Sequence, residues 1–140
     1  GEIEGVMFVN DTTGTSPEGA MAAINRFGKG GNIVLIGGGS SKGFSFVELG
    51  KMIGEACKFV VVFEGTVADD FEKAIGEGAT TARATSMAQA VGLARDNAKL
   101  GDVILLSPGT SSFGMFKNEF DRGDQFIAEF EKLKKATTKG

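Results

Sequence analysis

Carboxylate, ammonium and hydroxyl groups gather in three short segments of this 140-residue chain. The first is Asn10-Asp11-Thr12-Thr13-Gly14-Thr15-Ser16, the second Gly37-Gly38-Gly39-Ser40-Ser41-Lys42-Gly43, and the third runs from Ser107 to Phe113. Two charges, Asp11 and Lys42, stand in them among hydroxyls and backbone N–H donors, a mixture suited to an anionic ligand. The glycine run does not spell GxGxxG, and no segment spells GxxxxGK followed by Ser or Thr. It therefore reads either as a phosphate cradle that needs help from elsewhere, or as glycines that only permit a strand to turn into a helix. Thr12, Thr13, Thr15 and Ser16 could equally cap a helix, and Lys42 could be a solvated surface lysine. Arg122, between Asp121 and Asp124, reads as a surface or helix-start ion pair contributing roughly 0 to 1 kcal/mol. Phe113, Phe116, Phe120 and Phe126 read as core.

Two residue types narrow the chemistry further. The chain has no histidine, which removes imidazole metal sites, histidine triads and the commonest general base. Its one cysteine, Cys57, follows Ala56 where a helical pattern gives way to a strand, so it reads as a buried structural thiol.

The elements that position these segments follow from the apolar spacing. Val6 to Asn10 is a strand, and Ser16 and Pro17 open a helix with stripe Ala20, Met21, Ile24 and Phe27 that Gly28 closes. Asn32 to Ile36 is a second strand, running into the glycine segment. Ser45 and Glu48 form a capping box ahead of Phe46, Leu49, Ile53 and Ala56. Lys58 to Phe63 is apolar at consecutive positions, which marks a strand covered on both faces and hence a parallel sheet. Asp69 to Ile75 reads as a short helix and Thr80 to Ala84 as a weak edge strand. Ser86 with Gln89 caps a helix whose stripe is Met87, Ala90, Val91 and Ala94. Asp102 to Leu106 is the last strand and Gln125 to Lys135 the last helix. Strands alternating with helices predict one α/β domain, Rossmann-like and doubly wound, with a mostly parallel sheet and helices on both faces. In such a sheet ligands bind beyond the carboxyl ends of the strands, where all three segments fall.

Composition excludes whole classes. Apolar residues at 41% and charged residues at 24% are ordinary globular proportions, against disorder and fibrous structure. A net charge of −3 with no basic stripe argues against nucleic acid and anionic membranes as partners. No stretch reaches the roughly 20 apolar residues of a membrane span, and no signal-peptide pattern opens the chain, so the expected compartment is the cytoplasm. Glu2 and Glu4, leading straight into a strand, read as a cut at a domain boundary with sequence missing upstream.

Taken together, the first segment, the second, and Leu106-Ser107-Pro108-Gly109-Thr110-Ser111-Ser112-Phe113-Gly114-Met115-Phe116-Lys117-Asn118-Glu119-Phe120-Asp121-Arg122-Gly123 resemble the C-terminal domain of the Mur ligases that add D-glutamate. The last segment is the most specific. The resemblance covers nearly all of this chain, with order and spacing kept, and only the last part of the family's enzymes. It implies an ATP-dependent ligase of peptidoglycan synthesis that activates the carboxylate of UDP-N-acetylmuramoyl-L-alanine as an acyl phosphate, which the amine of D-glutamate then attacks. It also implies that an N-terminal UDP-binding domain and a central ATPase domain, both absent from this chain, carry most of the ATP and Mg2+ contacts. Residues 1–140 would then be the amino-acid-binding domain, closing over the nucleotide and inactive alone.

The same resemblance assigns roles. Asp11 matches the acidic residue that approaches the ATP ribose. Thr15, Lys42 and Ser112 match the residues that hold the carboxylates of D-glutamate, and Phe120 the phenylalanine whose backbone touches the amino acid. Arg122 matches a basic residue taken to organise the loop and the closure. The chain departs from the family's pattern at Thr13 (commonly lysine), Ser41 (usually aspartate), Thr110 (often cysteine) and Glu119-Phe120 (usually the reverse order). Two other readings stay open: a Mur-type ligase for another amino acid, and a freestanding Rossmann-like binding module without catalysis.

Overall fold

The computed structural model describes residues 1–11, 17–28, 31–38, 47–65, 68–107 and 116–139. Its elements, in chain order, are β1 (Glu2–Ile3), β2 (Val6–Asn10), α1 (Pro17–Phe27), β3 (Ile33–Gly38), α2 (Val47–Ala56), β4 (Cys57–Phe63), α3 (Ala68–Ile75), β5 (Thr80–Ala84), α4 (Met87–Asp96), β6 (Val103–Leu106) and α5 (Glu119–Lys139). The six strands lie in the order β1-β2-β6-β3-β4-β5. Every neighbouring pair is parallel except β1 with β2, so the expected doubly wound, mostly parallel sheet is what forms.

The consecutive apolar residues of the central strands are explained by two covered faces. Val34 and Ile36 of β3, Val61 and Phe63 of β4, and Ile104 and Leu106 of β6 pack with Met87, Ala90, Val91 and Ala94 of α4 and Phe126 and Phe130 of α5. The alternate residues Ile33, Leu35, Val60, Val62, Val103 and Leu105 pack with α1, α2 and α3 on the opposite face. Each such side chain removed from water contributes roughly 1.5 to 3 kcal/mol before entropy is subtracted. Phe8 of β2 is sandwiched by α5, its ring centroid 5.0 Å from that of Phe130 and 6.3 Å from that of Phe126.

Local signals place the helices. Ser86, with extended backbone, accepts a hydrogen bond from the N–H of Gln89 at 3.1 Å. The Gln89 side chain accepts in return from the N–H of Thr85 at 2.8 Å, one residue ahead of the cap. The start of α5 repeats this arrangement: Asn118 Oδ1 accepts from the Asp121 N–H at 2.8 Å, and Asp121 Oδ2 from the Lys117 N–H at 3.1 Å. This second box moves the helix start from the expected Gln125 back to Glu119. Phe120 and Arg122 are therefore helical residues and not part of a loop.

Two further differences concern the strands. β1 was not expected; it forms because Glu4 and Gly5 both adopt positive φ, 50° and 80°, closing a two-residue hairpin that pairs Ile3 with Val6. β3 extends through Gly37 and Gly38, which were expected in the loop. At the other edge, Arg83 of β5 gathers Glu64 at 3.2 Å, Asp69 at 2.6 Å and Glu72. These charges blunt an edge strand that would otherwise offer itself for pairing.

Candidate functional site

The carboxyl ends of β2, β6 and β3 lie side by side, and the chain leaves them on opposite faces of the sheet. β2 and β3 lead to α1 and α2 on one face, whereas β6 leads to α5 on the other. This is a topological switch point, the place in an open parallel sheet beyond whose strand ends ligands bind. Gly38 closes β3 at φ 88°, a left-handed backbone conformation that side chains disfavour, and a Cβ there would lie 3.3 Å from the Phe63 nitrogen.

At this point the parallel register delivers one specific pair. Val9 aligns with Leu105 and Asn10 with Leu106, so the next residues, Asp11 and Ser107, are neighbours. The Asp11 N–H donates to the Leu106 carbonyl at 2.7 Å, and the Ser107 N–H to the Ile36 carbonyl at 3.3 Å. The two backbones are thereby tied across three strands. The Ser107 hydroxyl then donates to Asp11 Oδ2 at 2.7 Å. Ser107 is fully buried and Asp11 half-buried. A carboxylate accepts only, so the direction of the bond is fixed, and the buried hydroxyl is satisfied by it.

Of the other residues singled out in the sequence, Thr15, Lys42 and Ser112 lie outside the described residues, as do Thr13, Ser41, Thr110, Ser111 and Phe113. Arg122 is not at the surface: its relative exposure is 0%, making it the largest fully buried side chain among the described residues. Burial at that level requires compensation for the guanidinium charge, and Arg122 does make side-chain or backbone interactions within the domain. Phe120 is 65% exposed, so it is not core, whereas Phe116 and Phe126 are. Asp121, beside them, has its carboxyl held below the usual carboxylate range by the Lys117 N–H first and by Gln125 second.

Cys57 opens β4 and is buried. Burial pushes its thiol up to about 12, so it stays protonated and is no nucleophile at neutral pH. Among the described residues no three Cys, Asp or Glu side chains are placed to hold a metal ion, and no helix is long and apolar enough to cross a membrane. Ser107 is the site residue that sequence reasoning missed. Its hydroxyl directly after the apolar run Val103–Leu106 was a visible signal, but only the strand order puts it beside Asp11.

Comparison with known proteins identifies the family. Residues 1–110 match the family model described as Mur ligase, glutamate ligase domain. A UDP-N-acetylmuramoylalanine–D-glutamate ligase of Pseudomonas fluorescens is 40% identical over 134 residues, an alignment that covers 94% of this chain and 30% of that protein. The ligase of the same name from a Roseiflexus species is 41% identical over 129 residues, covering 89% and 27%. The chain thus spans less than a third of the length of these relatives. Among solved structures, the MurF ligase of Thermotoga maritima in complex with ADP superposes with a TM-score of 0.63 at 20% identity, covering 94% of this chain and 29% of that one; at that identity the likeness is one of fold. The chain belongs to the family of Mur ligase, glutamate ligase domains.

Proposed function

We propose that this chain is the C-terminal, amino-acid-binding domain of a longer cytoplasmic ligase that uses ATP to join D-glutamate to UDP-N-acetylmuramoyl-L-alanine in peptidoglycan synthesis. The observation that carries the reading is the Asp11–Ser107 pair at the switch point of the sheet, in a family whose similar members bear that ligase name. In the reaction, ATP phosphorylates the acceptor carboxylate; the amine of D-glutamate then attacks the acyl carbon, forming the amide as phosphate leaves. This domain's part is to hold the amino acid and one side of the nucleotide. Asp11 accepts hydrogen bonds from the ribose hydroxyls. Lys42, Thr15 and Ser112 satisfy the carboxylates of D-glutamate, one ammonium and two hydroxyls replacing water on a desolvated anion.

The buried Arg122, one turn into α5, belongs with Phe120 to the substrate-binding set and organises the loop and the closure. Mg2+ and the triphosphate are held mainly by the central ATPase domain of the longer protein. Residues 1–140 by themselves therefore fold but turn over no ATP.

The test is ADP release by the full-length protein with UDP-N-acetylmuramoyl-L-alanine and a panel of D- and L-amino acids. Release that requires D-glutamate supports the proposal. Preference for another amino acid shifts the substrate within the same reaction, and a natural protein that ends near residue 1 with no upstream ATPase region replaces the ligase with a binding module.

A further inference from the structure

We propose that Ser107 is a positioning residue for the nucleotide: its buried hydroxyl holds Oδ2 of Asp11 so that the second carboxylate oxygen is presented to a vicinal diol. The inference rests on the reading of Asp11 as the residue that meets the ribose. Three observations carry it. The hydroxyl is completely buried, so in the folded domain it is a fixed protein donor to the carboxylate and not a solvent-exposed one. Both backbones are pinned, Asp11 to Leu106 and Ser107 to Ile36, so the donor and the carboxylate keep a fixed separation. Asp11 itself is only half-buried, and among the described residues Ser107 is the side chain bonded to it. One oxygen is thus committed to the fold. A carboxylate without this bond would rotate about its side-chain torsions and meet the diol in the right orientation only part of the time.

The experiment uses the full-length ligase and compares Asp11→Ala, Ser107→Ala, Ser107→Thr and the Asp11→Ala/Ser107→Ala double variant, with melting temperatures recorded for all four. Ser107→Ala is expected to raise KM for ATP about three- to tenfold, the loss of one hydrogen bond to a partly solvated charge. KM for the amino acid and kcat stay within about twofold, a split that a purely structural residue would not give. Ser107→Thr, which keeps the hydroxyl, restores the ATP value, and the double variant is no worse than Asp11→Ala alone. Where the threonine methyl is not accommodated and the melting temperature falls, Ser107→Cys, close in size and a weak donor, takes its place and falls between serine and alanine. If Asp11→Ala raises the ATP value and Ser107→Ala leaves it unchanged, or raises both KM values together with a lower melting temperature, the positioning role is overturned. If Asp11→Ala itself leaves KM for ATP unchanged, the ribose reading of Asp11 is what fails.

Discussion

Lys58 and Asp102 meet at 2.5 Å across β3, joining the start of β4 to the turn that precedes β6 on the amino edge of the sheet. Asp102 also accepts the Lys99 N–H at 2.7 Å and is nearly buried, with 11% of its side chain exposed. Removing the lysine leaves that carboxylate with a backbone donor but without its countercharge, which is more costly than losing a surface pair. Lys58 is itself a third exposed, so water recovers part of the loss. Lys58→Met is expected to lower unfolding free energy by about 1 to 2 kcal/mol, measured as a reduced urea midpoint. Ligase kinetics should not change, because the pair lies at the edge opposite the switch point.

Helices α2 and α3 approach through Gly50, where an added methyl would overlap the backbone carbonyl of Ala74. In an exposed helix Gly→Ala stabilises by about 0.5 to 1 kcal/mol. Here the overlap is with backbone, which cannot rotate away, so Gly50→Ala should instead destabilise by about 1 to 3 kcal/mol. A variant as stable as the parent in thermal melts would mean that the two helices separate at no cost.

Cys57 gives a prediction in pH. A thiol-specific reagent at pH 8 should label it slowly in the native protein and rapidly in urea, since burial both hides the sulfur and keeps it protonated. Below the ordinary thiol value of 9.0 the group is neutral in both states and does not affect folding. As pH rises from there towards about 12, the unfolded chain sheds the proton while the folded one keeps it, so the stability linked to this group is lost across that window. Cys57→Ala should therefore lose stability less steeply than the parent above pH 9, after subtraction of the constant cost of the cavity.

What the sequence made legible followed the strength of its local patterns. The run Lys58 to Phe63 announced a strand covered on both faces, and all of Val60 to Phe63 are fully buried. Ser86 and Gln89 announced a helix whose four stripe residues are the four buried ones. Legibility ended where a pattern was unusual or the information non-local. The β1 hairpin turns on Glu4-Gly5, where asparagine or aspartate is the common partner for glycine. Helix α5 contains Gly123, which reads as a breaker, and its Asn118/Asp121 box bonds back to Lys117. Arg122 between two aspartates looks solvated from sequence alone, since burial is decided by the packing of α5. The Asp11–Ser107 contact joins residues 96 apart, and only the insertion of β6 between β2 and β3 brings them together.

The division of labour in the site is tested most directly by KM values for ATP and for D-glutamate measured side by side on the full-length Lys42→Ala and Asp11→Ala variants. The expected result is a crossed pattern. Lys42→Ala should raise the D-glutamate value roughly ten- to a hundredfold, the loss of a charge-assisted bond, with the ATP value nearly unchanged, and Asp11→Ala should do the opposite. Unchanged D-glutamate kinetics in Lys42→Ala, or equal effects of both variants on both substrates, would contradict the assignment of this domain as the amino-acid site.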